Sequence, residues 1–297
     1  MAGAARTNES GFVLVAALWI LAALAGLAAI FSLYATNTAA STALGAQRLE
    51  ADAAFRSGVE LVAYQLLAVD ENTRPGHGGF AFALGKTRVS VRFLTEAARI
   101  DINLAPKELL AGLFTSVGVS ADKAGTYADR IVGWRSKVEG NGGDPEAELY
   151  RSARLPYPPK EDLFEDVAEL RLLPDVPPAA IDRILPEVTT FSQLAQINVF
   201  EAPPETLTAL PGVTAAALAE ILKGRDASTD NRQQLLAKLG DAGKLATTQN
   251  SHATRVFVEA GLGSGRRAHA EIVLYIKDRD AEPFNIASWR DDFDAPL

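Results

Sequence analysis

Gly11-Phe12-Val13-Leu14-Val15-Ala16 opens a run that stays apolar to Tyr34, and no Lys, Arg, Asp or Glu stands between Glu9 and Arg48. At about 1.5 Å per residue, a helix over 12–34 is roughly 34 Å long, against a hydrocarbon core of about 30 Å. The run therefore predicts one membrane-spanning helix. Working outward from it, Leu44, Ala51, Phe55, Val59, Val62, Leu66 and Val69 recur at steps of three, four or seven. Arg48, Glu50, Asp52, Arg56 and Glu60 fall mainly on other faces, and no Pro precedes Pro75. The spacing predicts that the helix leaves the membrane without a break and continues to about residue 70, amphipathic where it lies in water.

The remaining chain, some 250 residues, is long enough for one large or two small cores. The 297 residues carry a formal charge of −8, no Cys and three His, at 77, 252 and 269. The acidic balance disfavours nonspecific nucleic-acid binding, which needs clustered Lys and Arg. The absence of Cys removes disulfide and thiol chemistry and suits an oxidising compartment. A cleaved secretory signal is disfavoured, because its apolar region spans 7–15 residues behind a clearly basic start. Here the start offers only Arg6 and the terminal amine, which favour a cytoplasmic N-terminus. A plain anchor satisfies the length alone. Gly immediately before a long apolar helix that turns amphipathic is instead the mark of a type IV pilin-like segment, which this start resembles.

Asn72 to Gly79 is rich in Gly and Pro and breaks the helix. Phe80–Leu84, Thr87–Thr95 and Arg99–Leu104 read as strands, the first two joined by Gly85-Lys86. Candidate helices follow over 107–117, 121–136, 166–171, 178–185, 204–210, 215–223 and 231–239. Glu139 to Glu148 reads as a loop, with Pro145 ending the helical stretch before it. Arg255–Glu259 and His269–Lys277 read as a hairpin about Gly261-Leu262-Gly263-Ser264-Gly265; a strand, not a helix, follows these glycines, which disfavours a dinucleotide loop. Ile102-Asn103-Leu104-Ala105-Pro106-Lys107-Glu108 and Ile197-Asn198-Val199-Phe200-Glu201-Ala202-Pro203-Pro204-Glu205 form a repeat of unequal length. In each, an extended stretch meets Pro at a helix start, with Glu in the first turn.

The order of these pieces resembles the minor pseudopilin K family of the type II secretion system. The pieces are Gly11-Phe12 and the stem, Asp101-Ile102-Asn103-Leu104, Ile131-Val132-Gly133-Trp134 before an acidic Gly-rich loop, and Phe164 to Leu173. Ile197-Asn198 with Leu210-Pro211-Gly212-Val213, and Phe284 to Arg290 as closing strand, complete them. The resemblance implies an α+β, pilin-like fold: a leader at 1–11, a transmembrane segment at 12–34, a β region at 71–103 and 245–297 forming an antiparallel sheet, and an inserted helical domain at 104–244. It implies prepilin peptidase cleavage after Gly11, methylation of Phe12, an inner-membrane assembly platform and membrane lipid as surroundings, and a periplasmic C-terminal domain at the pseudopilus tip with minor pseudopilins I and J. Most pilin-like subunits carry Glu as the fifth mature residue, where this chain has Ala16. A carboxylate within a membrane is costly without a partner, and a tip subunit has no neighbour ahead of it to supply one.

Glu139, Asn141, Asp144, Glu146 and Glu148 offer oxygen ligands of the kind Ca²⁺ takes, without EF-hand spacing; the resemblance also implies Ca²⁺ in the helical lobe. Leu210-Pro211-Gly212-Val213-Thr214 resembles half of a helix-hairpin-helix DNA motif, with Thr214 where a second Gly is usual. A packing turn between helices fits the acidic chain better than phosphate binding. No Ser–His–Asp arrangement, HExxH, P-loop or Cys names an enzyme. The alternatives to a pseudopilin are a membrane-anchored periplasmic binding protein unrelated to secretion and a DNA-binding protein.

Overall fold

A computed structural model describes residues 9–137, 144–225, 229–277 and 281–293. Helix α1 spans Glu9–Leu67 without interruption. Its lower part is apolar all round and uncovered, with Phe12 77% and Trp19 74% exposed. This helix is long and apolar enough to cross a membrane. From Ala51 upward one face is buried: Ala51, Ala54, Phe55, Val59, Val62, Ala63 and Leu66. Leu44 and Val69, predicted on the same stripe, are exposed because the sheet reaches neither of them.

That face lies on a five-stranded antiparallel sheet of order β1-β2-β7-β8-β9. Its strands are β1 (His77–Leu84), β2 (Thr87–Thr95), β7 (Ala253–Gly261), β8 (Arg267–Ile276) and β9 (Phe284–Asp291). The alternation read in TRVSVRFLT sends Val89, Val91 and Phe93 into the core. Gly58 lets the helix down onto the sheet: a Cβ there would meet Val91 and Val258 side chains at 3.1–3.3 Å. Gly85, at φ +62°, makes the two-residue turn between β1 and β2. The glycine-bearing tip at 262–266 closes the β7–β8 hairpin.

A second core lies within 100–246. Around it are β3 (Ile100–Asp101), α2 (Lys107–Ser116), α3 (Ala121–Arg135), α4 (Pro145–Ser152), α5 (Pro178–Ile184) and β4 (Val188–Thr189). The rest is β5 (Ile197–Asn198), α6 (Pro204–Leu207), α7 (Ala215–Lys223), α8 (Thr229–Ala237) and β6 (Ala246–Thr247). The predicted strand 99–104 shrinks to two residues because the chain turns at once into α2. The predicted helix 166–171 is a 3₁₀ turn, Val167–Leu172, opened by a capping box of Asp166 and Glu169.

The repeat is a structural duplication, and its copies are equal in length once aligned correctly. Ile100-Asp101 pairs in parallel with Val188-Thr189, and Ile197-Asn198 with Ala246-Thr247. Asp101 O accepts from Leu104 N and Ala105 N; Asn198 O accepts from Glu201 N and Ala202 N. Asp101 Oδ1 accepts from Asn103 N at 2.9 Å, and Asn198 Oδ1 from Phe200 N at 3.1 Å. The counterpart of Asn198 is therefore Asp101, not Asn103. What recurs is an acceptor that closes the turn, which Asp and Asn supply equally. Ala105-Pro106 and Ala202-Pro203 then coincide, and both prolines stand at the N-cap rather than the first helical position. In each unit an Arg holds the turn from below: Arg135 Nη2 donates to Ala105 O, and Arg225 Nη2 to Ala202 O. Each unit also turns between its helices on a positive-φ glycine, Gly118 or Gly212, followed by Val and a capping-type Ser or Thr.

Buried polar contacts join the two cores. Glu96, fully buried, accepts from Arg255 Nε at 2.5 Å and Nη2 at 3.0 Å, and from the Thr189 hydroxyl. Tyr275 Oη donates to Phe191 O at 2.8 Å.

Candidate assembly and metal sites

At the start of the stem, Gly11, Phe12 and Ala16 lie on α1 within one and a half turns. Phe12 is uncovered, and Ala16 puts only a methyl on the helix. No described side chain from the rest of the protein covers this region, and Phe12, Val13, Leu14, Leu18 and Trp19 are all exposed. Its chemistry is that of a lipid-facing surface with no internal charge.

The acidic segment is built differently from the expected loop. Pro145 starts a helix instead of ending one: Asp144 caps α4, its Oδ1 accepting from Glu146 N at 2.9 Å, and Pro145 takes the first helical position. Asp-Pro is a helix-start signal, since Pro lacks only a hydrogen bond that position never makes. Glu146 and Glu148 are accordingly helical. Glu139 and Asn141 lie outside the described residues. Glu148 turns to the surface and pairs with Arg151 at 2.7 Å, so it is not brought to the other ligands.

Glu146 is drawn inward over α3. A Cβ at Gly133 would lie 2.6 Å from Glu146 Cδ, so glycine at 133 makes room for that carboxylate. Glu146 Oε2 lies 2.7 Å from Arg130 Nη1, an ion pair whose N–H is not directed along a hydrogen bond. Burial pushes the Glu146 carboxyl up, Arg130 opposes this, and Asp144, Asp129 and Asp175 add to it. Asp144 Oδ2 and Glu146 Oε1 are buried with no hydrogen-bond partner, as are Trp134 Nε1, Tyr150 Oη and Arg130 Nε. Each carboxylate thus has one oxygen committed and one open. Two open carboxylate oxygens beside further acids fit a hard cation that takes oxygen ligands. No group of three or more His, Asp or Glu side chains that could hold a metal occurs among the described residues. The sequence reading missed Arg130, Tyr150, Asp129 and Asp175; the spacing of Arg130 and Trp134, four apart on one face of α3, was the available signal.

In the Pro211-Gly212-Val213-Thr214 turn, Thr214 Oγ1 accepts from Ala217 N at 3.2 Å and caps α7. That capping bond, the buried Leu210 and the half-buried Val213 packed on the same core make the turn a joint between helices.

Residues 88–193 match the family described as Type II secretion system (T2SS), protein K. Among solved structures, a chain of the GspK-GspI-GspJ complex from enterotoxigenic Escherichia coli Type 2 Secretion System matches with a TM-score of 0.55. It is 14% identical, and the match covers 82% of this chain and 94% of that one, a likeness of fold. Comparison with curated proteins gives no significant match. A stem long and apolar enough to cross a membrane, with a sheet packed on its upper end, defines the class of fold: pilin-like. The likeness to type II secretion system protein K is carried in sequence by residues 88–193.

Proposed function

We propose that the protein caps or initiates the periplasmic pseudopilus together with minor pseudopilins I and J, and works by assembly rather than catalysis. The observation that carries this is the protein K match at 88–193 on a chain whose stem offers no carboxylate at residue 16. A subunit with another ahead of it can pair such a carboxylate; Ala16 suits one that has none. Prepilin peptidase cuts after Gly11, Phe12 is then methylated, and the stem holds the protein in the inner membrane beside the assembly platform. Mass spectrometry of protein from cells with prepilin peptidase should find an N-methylated chain starting at Phe12. An intact, unmethylated start there overturns this part and favours a simple anchor.

The open oxygens of Asp144 and Glu146 support Ca²⁺ as a resident ion, with Glu139 and Asn141 as further donors and Glu148 outside the set. The ion would bring its charge to a place where carboxylates outnumber their single Arg partner, and so hold the head of α4 against α3. Calorimetry with Ca²⁺ should show binding that Asp144→Asn with Glu146→Gln removes and Glu148→Gln leaves unchanged. Absence of binding to the unaltered protein rejects the ion.

A further inference from the structure

The two edges of the sheet are not alike. The β9 edge carries Arg290 and Asp291, is tied to the helical lobe by Arg290–Asp166 at 2.6 Å, and is broken by a bulge at Ala287, where pairing passes from Ser288 to Ile286. Charge, bulges and cover are the ordinary means by which a sheet blocks further pairing. The β1 edge has none of them from Gly78 onward; only its first residue, His77, is tied to the helical lobe, through Glu201 at 2.6 Å. His77-Gly78-Gly79-Phe80-Ala81-Phe82-Ala83-Leu84 contains no Lys, Arg, Asp, Glu or Pro, and all eight residues pair with β2 in unbroken register.

The register also says which groups are open. Thr95 N donates to Gly76 O across the pair Gly76/Thr95, and a two-residue turn closes Leu84 on Thr87. In an antiparallel pair the bonded positions alternate, so 78, 80, 82 and 84 bond to β2. Gly79, Ala81 and Ala83 turn their N–H and C=O outward. All three are exposed, and none carries more than a methyl group to obstruct an approaching backbone. No other described segment bonds to them. On the side facing α1, Phe80 and Phe82 stack at 6.2 Å and stay half-buried, with Leu84 exposed beyond them.

We infer that the open edge of β1 docks an uncharged extended strand of a partner pseudopilin, extending the sheet by one strand. The inference rests on the assembly reading above. An edge of bare amides and carbonyls is complementary to another strand and to little else, and its lack of charge selects a neutral one. A partner pseudopilin is favoured as its source because its own stem is held in the same membrane alongside α1. Tethering turns strand pairing into an encounter at high effective concentration.

The test uses the full chain in detergent with minor pseudopilins I and J. Proline is tolerated on an edge strand where its missing N–H would face solvent, so Ala81→Pro should keep the fold, checked by circular dichroism, while Ala81→Ser is the control. Wild type and A81S should co-purify with partner, A81P at least tenfold less. Independently of any variant, hydrogen exchange on the wild type should show the amides of Gly79, Ala81 and Ala83 gaining protection in the complex. Equal capture by A81P, or no gain at these amides, overturns the edge while leaving the assembly reading in place. Failure of the wild type to capture either partner overturns the assembly reading and the occupant with it. Protection that appears on self-association alone assigns the edge to a second copy and overturns the inference.

Discussion

Gly112 on α2 and Ala209, two residues past the end of α6, meet: the carbonyl of Ala209 fills the space a Cβ on Gly112 would need. The two units therefore pack closely at this point, the Ala209 backbone against Gly112. Gly112→Ala must push them apart. The expected cost is about 1–3 kcal/mol or more, as for overpacking a close-packed core. Gly125→Ala, on α3 with nothing within 4 Å of the added methyl, should instead stabilise by about 0.5–1 kcal/mol through helix propensity. Urea unfolding of the two variants checks the contrast in sign.

Arg255 and Glu96 couple the sheet to the first helical unit. With Glu96 fully buried, Arg255→Met leaves a carboxylate without its partner, at an expected cost of about 3–5 kcal/mol. Burial works against the Arg255 cation, but hydrogen bonds and charge from Glu96 and Glu271 raise its pKa overall. Adding Glu96→Gln to Arg255→Met should recover much of the loss, because the uncompensated charge goes. Equal stability of single and double variants in thermal melts would contradict this.

Asn198 and Asp101 close equivalent turns but are not interchangeable. Asn198 Nδ2 donates to Gln249 O at 3.0 Å and Asn250 Oδ1 at 2.9 Å, whereas Asp101 Oδ2 accepts from Gln193 N at 2.9 Å and Ser192 Oγ at 3.2 Å. Asn198→Asp sets a buried carboxylate against oxygen acceptors and should cost about 3 kcal/mol or more, readable in urea unfolding.

Burial raises the Asp101 carboxyl above its ordinary 3.8, although Asn103, Gln193 and Ser192 oppose the shift. The folded protein thus holds this proton to higher pH than the unfolded chain. The stabilisation is full below 3.8 and is lost as pH rises through the folded value. Relative to Asp101→Asn, which does not titrate, the wild type should lose stability as pH increases above 3.8 and then level off. Unfolding free energies measured from pH 3.5 to 7 give the slope directly.

Much of the fold is legible in the residues. The stem, β2 and α7 were readable because their apolar periods are long or strict, and Thr87–Thr95 and Ala215–Lys223 stand where the spacing put them. The head of α4 was not, since Pro145 both ends and begins helices, and only the carboxylate before it decides which. The equal length of the two turn segments, Ile100–Pro106 and Ile197–Pro203, was hidden because Asp101 replaces the expected Asn. The inward turn of Glu146 was hidden too. It depends on a missing Cβ at Gly133, a contact between segments that no local spacing encodes.

Helix α1 runs from Glu9 to Leu67 as one unbroken rod of about 88 Å, and its upper end is itself the core of the sheet. No break in the helix separates the membrane end from the sheet. The helix's upper turns pack on the β-sheet, which Glu96 and Arg255 join to the helical lobe. The stem and the head thus share one continuous element, with the upper turns of the helix serving as part of the head's own core.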